Sequence, residues 1–336
     1  MTLTTSLIQE NCFPNFQTGI KKMFKKLTLF CTLLAGSALA SAFNWHTPEI
    51  TSRLWKISKT GQPDSYLVGT FHIGTAQHST LPPKLDNIVK QSDLFISEVI
   101  VPIKPNRTLT KDIQAMQKQM FDFSGNTLSQ KIGNQRVQLL TQRLNSAPKL
   151  SAFTQNIERA EPWAAMMMDM NIRPQGYESE YGVDYLLSQA AIRHNIKRDS
   201  LERYTELPYH FKKLPLSRII EQMDFSERYK KESHDILIKM SGLYYDKKYT
   251  ELFRFNADYN RYNHIPDFPK ESIRFWQSWL EQDLLVSRNQ KWMPKLLQVL
   301  PNQKTLVAVG AAHLVDDSGL ILQLRQHGYT VEPIAE

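Results

Sequence analysis

Cysteine is almost missing from this chain. Its 336 residues contain two, Cys12 and Cys31. Both fall in the first 42 residues, a stretch that has the marks of a removable export segment. Without them the chain has no thiolate nucleophile, no cysteine-ligated zinc and no iron–sulfur cluster. An oxidising compartment is then allowed, but no disulfide is used there. Long apolar runs are also missing. Leu27 to Leu39 falls short of the about 20 residues that span a bilayer, and no later run reaches that length. Tandem repeats, low-complexity stretches and nucleic-acid motifs are absent too.

The first 42 residues follow the order of a secretory signal. Lys21, Lys22, Lys25 and Lys26 form a basic start, Leu27 to Leu39 an apolar run, and Ala40-Ser41-Ala42 a small-x-small cleavage site. Translation from Met23 would give such a signal an ordinary length. The expectation is an exported protein, periplasmic or secreted, with no integral membrane segment after cleavage. Losing four lysines and Glu10 would lower the formal charge from +8 to +5. The remaining basic clusters, such as Lys212-Lys213 and Lys247-Lys248, read as solvated helix faces, and no nucleic-acid partner is expected. Hydrophobic residues make up 41% of the chain, enough for a full core without staples.

Short apolar strands mark the two ends of the remaining chain. Residues 53–58 and Tyr66 to Gly69 read as a hairpin around Thr60 to Asp64. Pro82-Pro83 opens a helix with Leu85, Ile88 and Val89 on one face, and Asp93 to Val99 is the next strand. The C-terminus repeats this plan: a strand at Thr305 to Gly310, a helix over Gly319 to His327, and a closing strand at Tyr329 to Ile334. Between them, Trp163 to Met170, Val183 to Ala191, Ile236 to Tyr245 and Ile273 to Leu300 carry apolar residues three and four apart. The expected fold is α/β. A mixed sheet forms from N- and C-terminal strand–helix–strand units, with a large helical insertion between them. As a single domain it spans 43–336, with its core in 50–104 and 300–336 and its helical middle in 105–299.

Two segments share one pattern. Val68-Gly69-Thr70-Phe71-His72-Ile73 and Val309-Gly310-Ala311-Ala312-His313-Leu314 both read V-G-x-x-H followed by an aliphatic residue. A lone G-x-x-H is a weak signal, and the matched strand context strengthens it. Each histidine falls just past the carboxyl end of a strand, the edge where open α/β sheets bind ligands. Glu98 ends the strand after His72 and should project to the same side. Two imidazoles and a carboxylate can bind a divalent metal such as Mn, Co or Zn and leave positions open for water. A bound metal acidifies that water and polarises a carbonyl, which suits hydrolysis. The same groups can act without metal, one histidine as general base with Glu98 orienting it.

At these residues the chain resembles the TraB/PrgY/GumN family, which includes the Tiki Wnt proteases. Leu54-Trp55-Lys56-Ile57 with Tyr66 to His72 looks like that family's first G-x-x-H block, and Val309 to Leu314 with Gly319-Leu320 and Gly328-Tyr329 like its second. Pro162-Trp163, Gly182-Val183-Asp184, Leu201-Glu202 and Arg288-Asn289 carry weaker similarity between them. The resemblance implies a related α/β core and a metal-dependent, peptidase-like activity on a peptide or another envelope-derived substrate. It also implies functional roles for His72, Glu98 and His313. The chain departs from the pattern at Asp316-Asp317, where a glycine commonly follows the second block.

Arg288 lies on the apolar stripe of Ile273, Trp276, Leu280 and Leu284, so it either snorkels outward or meets a buried anion. As a site residue it would hold Glu98 or stabilise an oxyanion. Asp184 reads first as a helix cap. Glu202 reads as the end of a short strand, and His78 as a surface loop residue. Trp163 and Met166 to Met168 read as helical core, and 251–264 as an ordinary helix surface. Glu332 mirrors Glu98 in the second unit with different spacing. Two further functions fit the same histidines. One is a metal-independent hydrolase like the erythromycin esterases. The other is a non-enzymatic module binding a peptide or a haem-like group. The oligomeric state is not legible.

Overall fold

All six residues of the strand Thr305–Gly310 are buried. A run of that kind, T-L-V-A-V-G, suits a strand covered on both faces and flanked on both edges. In the computed structural model, which describes residues 49–258 and 269–335, that is its place. The export segment read at 1–42 lies outside the described residues. Six strands form one sheet: β1 (Leu54–Ser58), β2 (Ser65–Thr70), β3 (Leu94–Ser97), β4 (Lys197–Ser200), β5 (Thr305–Gly310) and β6 (Thr330–Pro333). Their order is β4-β3-β5-β2-β1-β6. β4, β3, β5 and β2 run parallel, while β1 pairs antiparallel with both β2 and β6.

The mixed α/β sheet is the expected one, and its strand order adds a detail. The two strand–helix–strand units interleave. β5 enters between β2 and β3, and β6 crosses to the far edge beside β1. The handedness of a crossover is constrained, but the number of strands it passes is not. The edges are blunted as edges usually are, by Lys197, Arg198 and Asp199 on β4 and Pro333 on β6.

Helices cover both faces of the sheet. Pro83–Lys90 buries Leu85, Ile88 and Val89, and Leu320–Gln326 buries Leu320, Ile321, Leu322 and Leu324. All of these but Leu322 belong, with Trp55, Phe95, Leu187 and Trp292, to the core around the sheet. A second core lies wholly in the helical middle, around Leu128, Ile132, Leu140, Trp163, Met166 and Trp279. Trp163, Met166 and Met168 are buried there, as the helical spacing predicts. The long helix read over Ile273 to Leu300 has three parts: an α-helix at Lys270–Ser278, a π-helical run at Trp279–Val286 and an α-helix at Ser287–Val299. Among the described residues, no helix is long and apolar enough to cross a membrane.

Candidate functional site at the carboxyl edge of the parallel strands

The four parallel strands end on one edge, and each end delivers a polar residue. β2 leads into His72, β3 into Glu98, β5 into His313 and β4 into Glu202. The β3–β4 ladder continues past the named strands, with the Leu201 N–H donating to the Ser97 carbonyl (2.8 Å) and the Glu202 N–H to the Glu98 carbonyl (2.9 Å). Backbone pairing therefore sets the two glutamates side by side.

Gly310 marks the centre. A Cβ at this position would lie 3.2 Å from Glu98 Oε1, 3.4 Å from His72 Nε2 and 3.7 Å from His313 Cδ2. The two histidines and the glutamate thus converge on one point. The Gly310 N–H also donates to Glu98 Oε1 at 2.6 Å.

The first histidine is held by a carboxylate. His72 Nδ1–H donates to Asp184 Oδ2 at 2.9 Å, and Thr70 Oγ1–H donates to Asp184 Oδ1 at 2.5 Å. The Asp184 charge, reinforced by this hydrogen bond, overcomes the desolvation penalty and pushes the His72 pKa up to about 9. The ring stays open, with 65% of its side chain meeting water. Gly182 makes this contact possible. A Cβ there would lie 2.4 Å from the His72 carbonyl oxygen, so only glycine lets the Val183–Arg193 helix start against this loop. Asp184 does not cap that helix: the cap position, Gly182, has no side-chain bond, and the carboxylate is spent on Thr70 and His72 instead.

The second histidine is held by an amide. His313 is buried, and its Nδ1–H donates to Asn289 Oδ1 at 2.7 Å. Asn289 Nδ2 donates to the carbonyls of Ser318 (2.9 Å) and His313 (3.3 Å), which orients the amide. With Nδ1 protonated, Nε2 carries the lone pair and accepts from Arg288 Nη1 at 3.2 Å. Burial pushes the His313 pKa down to about 4, so the ring is neutral at pH 7.

Arg288 lies between the two glutamates. Its Nη2 donates to Glu98 Oε2 at 2.5 Å and also to Glu202, and its Nε is 3.1 Å from Glu202 Oε1. The guanidinium also lies over the Trp292 ring, 4.7 Å from its centroid. The apolar stripe thus turns this arginine inward to buried anions. Burial disfavours charge on Glu98. The surrounding cations (His313 when protonated, Arg288 and His72) and the Gly310 N–H outweigh it and hold its pKa at about 2. Burial pushes the Glu202 carboxyl up, against the pull of Arg288.

Other readings resolve differently. His78 stacks on Tyr245 with ring centroids 3.6 Å apart and bonds within its own turn to Thr75, away from the convergence at Gly310. Glu332 is exposed on β6 opposite Lys56, at the far edge of the sheet. The read segment 251–264 begins in the Tyr249–Ala257 helix, and its last residues lie outside the described ones. Sequence reasoning passed over Thr70 as an anchor, read Asp184 first as a helix cap, and noted Asn289 only within the Arg288-Asn289 similarity. It also passed over Tyr244 and Tyr245, whose hydroxyls donate to the Gly69 and Ile73 carbonyls at 2.8 Å and brace the first histidine turn. Asn289, next to Arg288, was the most accessible of these.

The donor set suits a divalent metal in kind. Each imidazole has its Nδ1 fixed by a partner and presents Nε2, an arrangement typical of metal-binding histidines. In place the fit is incomplete. His72, held protonated by Asp184, would have to give up its Nε2 proton to bind a metal. Arg288 Nη1 occupies the lone-pair direction of His313, and among the described residues no group of three or more His, Asp and Glu side chains is arranged to hold a metal ion. Loading a metal on these residues requires the guanidinium to move.

The TraB/PrgY/gumN family model matches residues 53–333, the strands and the helical middle together. This chain belongs to that family. As a family member it shares 34% identity over 86 residues with Metalloprotease TIKI2 of Danio rerio. That stretch is 23% of this chain and 17% of the relative, so the chain matches only a small part of that protein. No solved structure matches.

Proposed function

We propose that this family member is a peptidase-like hydrolase whose reaction centre is His72, Glu98 and His313, with Arg288 among them. The carrying observation is the convergence of the two histidines and the glutamate within 4 Å of one point at Gly310. His72, Glu98 and His313 would hold a divalent ion (Mn, Co or Zn). Bound there, the ion would supply a Lewis acid for the scissile carbonyl and an acidified water. Asp184 and Asn289 fix the imidazole tautomers. Arg288 is placed to neutralise an oxyanion, a role worth about 3 kcal/mol for a single donor in other hydrolases. The substrate class is a peptide or another envelope-derived amide or ester. Export to the periplasm or medium belongs to the same reading, supported by the order of Lys21 to Lys26, Leu27 to Leu39 and Ala40 to Ala42.

The test is hydrolysis of a peptide library by the purified chain, with metal content measured in parallel. His72→Ala and His313→Ala should each abolish cleavage, and chelation should remove it reversibly. Cleavage that persists in both variants would sink the proposal. The Arg288–His313 contact favours a second reading, hydrolysis without metal, in which a preformed guanidinium and the neutral His313 do the work. In that case chelators leave the rate unchanged while the histidine variants remain dead.

A further inference from the structure

A groove of about 920 Å³ opens beside the histidine edge. It falls in the range of ligand clefts, about 300–1,000 Å³. Four segments form its walls: Glu49-Ile50, the Tyr249–Ala257 helix, Gln277 with the π-helical run Trp279–Val286, and the loop after His313. Two of these are tied to the reaction centre. Ala312, which lines the groove, adjoins His313 and stands two residues from Gly310. The π-helical run leads directly into Arg288.

The lining has two characters. Phe253, Leu280, Leu285 and Val315 give apolar surface, and Glu281 and Asp316 give carboxylates. Among the described residues the one cation in the lining, Arg254, lies 3.7 Å from Glu49, which also lines the groove, so that pair cancels itself. Asp317 adds a further carboxylate. Burial, then the charges of Glu281 and Asp317, push the Asp316 carboxyl upward, the mark of like charges crowded together. The chain as a whole is formally +8, so this acidic lining reverses the charge of the rest of the protein. The sequence pair Asp316-Asp317 thus falls on the groove. Asp316 takes the left-handed backbone (φ 67°), the conformation a glycine would supply.

We propose that this groove is a substrate subsite, receiving an extended peptide segment that carries apolar side chains and a lysine or arginine. The proposal rests on the peptidase-like reading for the identity of the ligand. Glu281 and Asp316 select the cationic side chain, and the apolar floor holds its neighbours. A segment lying in the groove leads across Ala312 toward the point where His72, Glu98 and His313 converge.

The test uses the full chain and matched eight-residue peptides that differ only in Lys, Gln or Glu at one position. With two ion pairs at work, the lysine peptide should show a KM about tenfold lower than the glutamine peptide at low salt. Glu281→Gln with Asp316→Asn should erase that preference, bringing the KM of the lysine peptide to that of the glutamine peptide. Asparagine accepts the left-handed backbone at 316, so the fold is kept. Glu281→Lys should remove the lysine preference and lower the KM of the glutamate peptide toward that of the glutamine peptide, a gain that a damaged fold cannot give. Cleavage with equal KM for all three peptides would overturn the subsite and leave the hydrolase standing. If no peptide is cleaved, anisotropy of the labelled lysine peptide separates the two readings. Binding lost in the double variant keeps the subsite and removes the hydrolase, and no binding to the wild type removes the subsite as well.

Discussion

The two G-x-x-H turns look alike as strings of letters and are opposites as chemistry. His72 is open to water, bonded to the Asp184 carboxylate and protonated at neutral pH. His313 is buried, bonded to the neutral Asn289 amide and uncharged at neutral pH. Each donates from Nδ1 and presents Nε2. The motif fixes where the imidazole stands; the Asp184 carboxylate sets the charge of His72, and burial sets that of His313. A proton donor and a proton acceptor can thus be made from one repeated motif, the usual way in which environments separate the roles of like residues.

The largest expected effect comes from removing what separates the two glutamates. Arg288→Ala would leave Glu98 and Glu202 buried without their cation, at a cost of about 3–5 kcal/mol in urea unfolding. It would also free His313 Nε2, so a stability loss under about 1 kcal/mol would mean that water, not Arg288, balances the pair. Asn289→Ala comes next. It leaves the His313 Nδ1–H without a partner in a buried setting, which costs about 1–3 kcal/mol. The comparison breaks if this variant leaves the His313 pKa and the stability unchanged.

The contrast between the rings is directly measurable. Imidazole resonances in the metal-free protein should titrate near pH 9 for His72 and near pH 4 for His313. Asp184→Asn should bring His72 down toward the ordinary value of 6.5 and leave His313 in place. If both rings titrate together in the wild type, the distinction is lost. The smallest effect is on stability against pH, and its sign differs for each ring. The raised His72 pKa gives stability that is complete below pH 6.5 and lost as pH rises through about 9. The depressed His313 pKa gives the opposite slope, with stability lost as pH falls from 6.5 through about 4. Glu98 extends that acid loss from 4.5 toward 2. The unfolding midpoint should therefore peak near pH 6.5 and fall on both sides. Substituting His72 should flatten the alkaline arm most and reduce the acid arm less, since His72 also helps to hold the Glu98 pKa down.

Strand ends were the legible part of the site. β2, β3 and β5 each show as an apolar run ending in glycine or glutamate, and this was enough to bring His72, Glu98 and His313 to one edge. Strand order was not legible, because periodicity reports how a strand is buried and not which strand lies beside it. Glu202 was underweighted for that reason: β4 reads K-R-D-S, an edge strand with no apolar run, and only its ladder to β3 places Glu202 beside Glu98. Asp184 was misread because its position near a helix start has a local explanation, while its partners His72 and Thr70 lie more than a hundred residues away. The π-helical run left no mark either. Its apolar spacing resembles that of an α-helix, although π turns often occur at functional sites.

β5 has a kinetic consequence. The strand at the middle of the sheet comes from near the end of the sequence, and its bond to Ser65 joins residues 240 apart. The pocket at Gly310 is closed by a contact to Glu98 across 212 residues. Pairings of such high contact order pay loop-closure entropy before they return any energy, so they form late and slowly. β2 and β3 must wait, with a gap one strand wide between them, until β5 enters. Folding of the sheet and assembly of the candidate site are then the same event. A chain caught before that insertion would already have its helical core and no convergence of His72, Glu98 and His313 at all.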